Sequence, residues 1–168
     1  MIQKAAVGVG VVSAGAGALV AAVFLLRAPG ERLGEENLEA ARRRWEASSI
    51  RDYAIEVEVS GIQQGVHRIR VEGGRVIEMT TGGAPVPPGA WNYWSVEGMF
   101  GFLAEELEHL ERPREIFGVE SASQVVLRVS FDEELGIPRR FLRQVLGGGP
   151  FVRWEIREFQ RAAPVSGP

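Results

Sequence analysis

Chemistry needs side chains that hold a metal, supply a nucleophile or move a proton, and this chain offers few of them. Its histidines are His67 and His109. A zinc site takes three or four ligands, and neither histidine has a second one at helical spacing. His109 falls near the end of a helical pattern, where the helix dipole favours it without any metal. Ser121, Ser123 and Ser130 lack the Gly-x-Ser-x-Gly setting of a hydrolase nucleophile, and no base and orienting acid are singled out for them. Asp132-Glu133-Glu134 has oxygen ligands for calcium but not the alternating acidic spacing of a calcium loop. An aspartate opening a turn closed by Gly136 accounts for the run. Gly147-Gly148-Gly149 precedes a strand and lacks the Gly-Lys-Ser/Thr of a phosphate cradle, so it reads as a turn. No pair of carboxylates stands out for glycoside cleavage. No catalytic residue, cofactor or metal is therefore assigned.

Binding has better candidates. Trp91, Tyr93 and Trp94 crowd into four positions after Pro85-Val86-Pro87-Pro88. They could form a stacking surface for a sugar or peptide, or pack over the helix that follows. Arg128, Arg140, Arg143, Arg153 and Arg157 fall within three successive strand patterns, and some of them would share the solvent face as a basic stripe interrupted by Glu155 and Glu158. Such a stripe suits an anionic envelope polymer or lipid. The formal net charge of −3 argues against nucleic acid. The absence of cysteine excludes disulfides, thiolate nucleophiles and cysteine-linked lipid.

The elements that must position these residues begin with a membrane segment. Ala5 to Leu26 carries no charge, with Lys4 before it and Arg27 after it. About 22 helical residues span about 33 Å, enough for a hydrocarbon core of about 30 Å. A cleaved signal peptide is the rival reading, but its apolar region runs only about 7–15 residues to a small-x-small site. Here the most apolar patch, Val20 to Leu26, comes last, and Pro29 spoils the site after Ala28. Residues 1–27 are expected to be a transmembrane anchor, with residues 28–161 outside the cytoplasm and residues 162–168 a disordered tail. Ser13, Gly17 and Ala21 recur every fourth residue and could support weak self-association.

Beyond Ala28-Pro29-Gly30 a helix is expected over about Glu31 to Ala47, burying Leu38, Ala41 and Trp45 and carrying Arg42, Arg43 and Arg44 where headgroups could meet them. Tyr53 to Val59 alternates with a period of two, as a half-buried strand does. His67 to Glu72 and Arg75 to Thr81 continue it around Gly73-Gly74, a hairpin turn. Glu56 and Glu58 should lie near Arg68 and Arg70. Gly82 to Pro88 reads as a loop. Ser95 caps a helix whose apolar stripe runs through Val96, Met99, Phe100, Leu103, Leu107 and Leu110, with Glu105, Glu106 and Glu108 opposite, and Pro113 stops it. Strands follow over Gln124 to Phe131, Pro138 to Leu146 and Phe151 to Phe159. The fold class is α+β: a single antiparallel sheet of about six strands, ordered helix, three strands, helix, three strands, with both helices on one face and a transmembrane helix in front.

Trp45, Asp52-Tyr53, Gly73-Gly74-Arg75-Val76, Pro85-Val86-Pro87, Val96-Glu97-Gly98-Met99-Phe100 and Val129-Ser130-Phe131-Asp132 with Leu135-Gly136-Ile137-Pro138 together resemble a family of uncharacterised bacterial domains, a domain of unknown function. The resemblance covers roughly Glu39 to Phe159. It implies a compact α+β fold and an exported, often lipoprotein-like, setting, and it carries no catalytic residues. The chain departs from the pattern near Ser60-Gly61-Ile62, where many members have cysteines. It also lacks a lipid-bearing cysteine, whose place the apolar segment would take. The expected role is a membrane-anchored, non-enzymatic binding or accessory domain whose partner is an envelope protein or polymer. An envelope hydrolase and a structural envelope protein are the alternatives.

Overall fold

The computed structural model describes residues 30–61, 64–91, 93–149 and 151–162. The expected anchor over residues 1–27, its Ser13, Gly17 and Ala21 face, and residues 163–168 of the tail lie outside the described residues. Among the described residues no helix is long and apolar enough to cross a membrane.

The sheet has eight strands, not six: β1 (Glu31–Arg32), β2 (Tyr53–Gly61), β3 (Gly65–Glu72), β4 (Arg75–Thr81), β5 (Ala84–Pro85), β6 (Val125–Phe131), β7 (Pro138–Val145) and β8 (Phe151–Arg161). All the pairings are antiparallel, in the order β1-β6-β7-β8-β2-β3-β4-β5. The two unforeseen strands are the two-residue edges. A ladder that short leaves no periodicity to read. The halves join where the first long strand, β2, pairs with the last, β8.

Three helices accompany the sheet: α1 (Glu35–Ser48), α2 (Val96–His109) and α3 (Pro113–Phe117). Helix α1 starts later than its pattern suggests because Glu31 and Arg32 are drawn into the ladder with β6. Gly34 N–H donates to Asn37 Oδ1 at 3.0 Å, and Asn37 Nδ2 donates to Arg32 O at 2.8 Å, so the first turn is closed without a side chain at the cap. Helix α2 begins where Ser95 Oγ accepts from Gly98 N–H at 2.9 Å. Pro113 stands at the start of α3 rather than merely after α2, since proline suits the first helical turn.

Both long helices lie on one sheet face. Trp45 of α1 meets Tyr53 of β2 edge-on at 5.5 Å, and Phe102 of α2 meets Phe141 of β7 at 5.4 Å. The register Phe141↔Trp154↔Val59 places these strand residues on the same face. Inward alternation runs through Tyr53, Ile55, Val57 and Val59, all buried. A bulge opposite Glu56 and Val57 leaves Arg157 unpaired. It shifts the alternation by one, so that Phe159 as well as Ile156 turns inward, and Phe159 stacks on Tyr53 at 5.5 Å. Gly73 and Gly74 have φ of 58° and 78°, the left-handed pair that a two-residue hairpin requires.

Candidate functional site

The aromatic run does not form a stacking surface. Trp91 Nε1 donates to Val86 O at 2.9 Å, and its ring packs on the core. The Trp94 ring lies 4.5 Å from that of His67. Tyr93 alone is well exposed, at 54%. The preceding Pro-rich segment is not a plain loop, because Ala84–Pro85 adds to β4 as an edge strand. His67 is buried, with Nδ1 2.7 Å from Thr81 Oγ1, and burial lowers its pKa. It serves the strand pair and the tryptophan.

The basic stripe is also dissolved by the structure. Arg128 is spent on the backbone, its Nε donating to Gly30 O at 3.1 Å. Glu155 draws in Arg140 at 3.5 Å, Arg153 at 3.4 Å and Arg157 at 3.5 Å. Arg157 Nε also donates to Glu58 at 2.6 Å, which keeps its pKa up. Glu58 therefore pairs with β8 rather than with β3, while Glu56 takes Arg68 at 2.8 Å as expected. Arg70 pairs with Glu72 and Glu78. The uncovered face is a mesh of compensated charges.

Arg143 leaves that face altogether. It points under α2 to Glu106, with Nη1 2.5 Å from Oε1, and its guanidinium lies 5.5 Å from the Phe117 ring centre. Glu106, expected on the solvent side of its helix, is 2% exposed. Burial raises its carboxyl pKa, and the charges of Arg143 and His109 only partly offset this. Glu106 Oε2, His109 Nδ1 and Arg143 Nε have no partner among the described residues. The signal was present in the sequence: Glu106 falls between Leu103 and Leu110 on the apolar stripe itself.

A cleft of about 440 Å³ opens between α1 and α2. Its floor is Glu97, in the first turn of α2. One Glu97 oxygen accepts from Trp45 Nε1 at 3.2 Å, and the other from Tyr53 OH at 3.0 Å. The Tyr53 hydroxyl in turn accepts from Val96 N–H at 2.8 Å. Burial, followed by the Glu97 charge, pushes the Tyr53 pKa far above its usual value, so this phenol remains a donor. Arg42 flanks the cleft, ion-paired to Glu39 at 3.2 Å and lying 5.8 Å from the Phe100 ring centre. Arg51 and Ile50 line the other side, and Gly101 is exposed with nothing within 4 Å of a Cβ placed there. The sequence puts Trp45 on a buried helix face and Tyr53 in a half-buried strand, and gives Glu97 no role of its own. It had no signal that the three converge, because they come from three separate elements.

Glu97 accepts one hydrogen bond at each oxygen, which fixes the orientation of its carboxylate. The cleft is lined by two guanidinium groups, Arg42 and Arg51, and two carboxylates, Glu46 and Glu97, and Arg42 Nη2 also donates to Phe100 O at 3.4 Å. The model of a family described as "Family of unknown function (DUF6174)" matches residues 37–142, which include every residue lining the cleft. No curated protein matches the chain.

Proposed function

The chain belongs to this family of unknown function, and we propose that it is a membrane-tethered binding domain, outside the cytoplasm, that receives a partner in the cleft between α1 and α2. The observation that carries this reading is the locked floor of the cleft: Trp45 and Tyr53 hold Glu97 through both oxygens. The cleft is therefore pre-organised, with the Glu97 carboxylate held in one orientation by the fold. The tether is supported by the uncharged stretch from Ala5 to Leu26, long enough to hold the chain at a bilayer. An exported setting agrees with that tether. The partner is an envelope component that offers polar groups to the mixed charges of Arg42, Glu46 and Arg51 at the cleft.

A photo-activatable side chain at Gly101, in its native membranes, tests this. Light should produce a discrete adduct from Gly101 and none from the same probe at Glu120, an exposed residue outside the cleft-lining set. Equal labelling from both positions, or none from Gly101 while the protein turns over an envelope substrate, would overturn the reading.

A further inference from the structure

We infer that one end of the sheet is an uncharged docking face, and that its occupant is the same end of a second copy of this chain. The inference goes beyond the proposed function and rests on neither the cleft nor the tether.

Residues 59–66, 79–96, 121–127 and 144–152 contain no Asp, Glu, Lys or Arg, although charged residues make up 24% of the chain. The antiparallel register gathers all four stretches at one end. Strand β2 ends there at Gly61, β4 at Thr81 and β7 at Val145, while β3 begins at Gly65, β6 at Val125 and β8 at Phe151. Gly61 pairs with Val152, Gln144 with Phe151, Val125 with Val145, Val59 with Gly65, and Thr81 with His67. Trp94, stacked on the His67 ring, brings the loop after β5 to the same place. The other end of these strands is built differently: its turns and flanks carry Asp52, Glu72, Arg75, Asp132, Glu133 and Glu134. The cleft is at that charged end, where Ile50 and Arg51 lead into β2, so the uncharged end leaves it open.

Four of the six large apolar side chains that stand exposed among the described residues lie in the uncharged stretches: Val66, Tyr93, Leu146 at 36% and Phe151 at 41%. The charges that border them on the uncovered sheet face are already engaged. Arg68 is paired with Glu56, Glu58 with Arg157, and Arg153 with Glu155, while Arg128 donates to Gly30 O. Loss of charge together with exposed aromatic and aliphatic side chains marks the core of a protein interface rather than an ordinary surface, which carries charge on about a quarter to a third of its residues.

A partner that brings a charge to this end would lose its hydration and meet no counter-charge. The partner must therefore be uncharged where it touches, and the same end of a second copy has that chemistry. Two chains of net charge −3 repel through most of their surface, and this is where they can meet without opposing like charges. A two-fold pairing uses the same patch on both copies. At about 4.8 Å between strands, β6 to β4 spans roughly 24 Å. With a helix layer about 10–12 Å thick over the sheet, that end offers on the order of 500 Å² per copy. Two copies then bury about 1,000 Å², the least that a specific pair needs, so the pair is weak and concentration-dependent.

The full chain in a non-ionic detergent is taken through graded concentrations by sedimentation equilibrium, which reads the pair whether or not the apolar start enters lipid. A reversible monomer–dimer equilibrium is expected. Raising NaCl from about 0.1 to 1 M should not weaken it, because no ion pair crosses the contact. Phe151→Arg or Leu146→Arg puts a charge into the neutral contact and should weaken the pair at least about tenfold. Ile77→Arg, comparably exposed but nearer the charged end, should not. Fluorescence of the buried Trp45 and Trp154 shows which variants are folded, and the second position stands if the first does not fold. A monomer at every concentration overturns the inference, as does a pair that Ile77→Arg weakens equally or that none of the three changes. A monomer that floats with phosphatidylcholine vesicles until Phe151→Arg is introduced would assign this end to lipid instead.

Discussion

Removing Arg143 strands a buried carboxylate, and the consequence depends on pH. Glu106 is 2% exposed and its close partner is Arg143 Nη1 at 2.5 Å. In Arg143→Leu near pH 7 the Glu106 charge must either stay unpaired or take up a proton. Breaking a buried pair from one side costs about 3–5 kcal/mol. Burial already raises the Glu106 pKa in the wild type. A carboxyl raised in the folded state contributes stability below its unfolded value, and that contribution is lost as pH rises through the folded value. Loss of Arg143 raises the folded value further. The deficit of the variant should therefore be largest at neutral pH and shrink below the ordinary carboxyl value of 4.5, where Glu106 is protonated in both states. What then remains is packing and the contact with Phe117, about 1 kcal/mol. Urea unfolding of the full chain, followed by the buried Trp45 and Trp154 at each pH, reads this directly. The double variant Glu106→Leu with Arg143→Leu should recover most of the loss, because no charge is then left buried. A deficit under about 1 kcal/mol at neutral pH, or one that is flat with pH, would refute the reasoning.

Other perturbations separate the remaining elements. Tyr53→Phe leaves Val96 N–H and one Glu97 oxygen without their partner and should cost about 1–3 kcal/mol in the same unfolding assay. Asp132 is pushed up by burial, but the N–H groups of Leu135 and Glu134 and the Arg139 guanidinium more than reverse this, so its pKa is lowered in the fold. Its contribution is present above the unfolded value and lost as pH falls through the folded one, so Asp132→Ala should flatten the acid limb of the stability curve. Gly136→Ala combines a φ of 75° with a clash against the Ala41 carbonyl, so it should destabilise by about 1–3 kcal/mol from strain alone, with a lowered melting temperature.

The long strands and both long helices were legible because each buries one face at a regular period. Tyr53 to Val59 reads inward on alternate residues and is built that way. Three features were not legible. The two-residue edges β1 and β5 carry no period. The β8 bulge at Arg157 breaks the period where Phe159 turns inward. Arg143, by contrast, alternates with the buried Phe141 and Val145, so the strand period marks it as inward even though its charge suggests the solvent face. Glu106 could have been suspected from its place on the apolar stripe, but its partner depends on how α2 crosses β7. The cleft was invisible for the same reason: Trp45, Tyr53 and Glu97 are ordinary where they stand in the chain and meet only in the fold.

The central claim, a binding domain held by its apolar start and facing away from the cytoplasm, is tested most directly by accessibility. Arg75→Cys, on the exposed β3–β4 hairpin, is treated with a membrane-impermeant maleimide in intact cells and again after lysis, and labelling is read in alkaline-washed membranes. Equal labelling before and after lysis, all of it in the washed membranes, is expected. Labelling only after lysis, or protein released by the alkaline wash, would contradict the account.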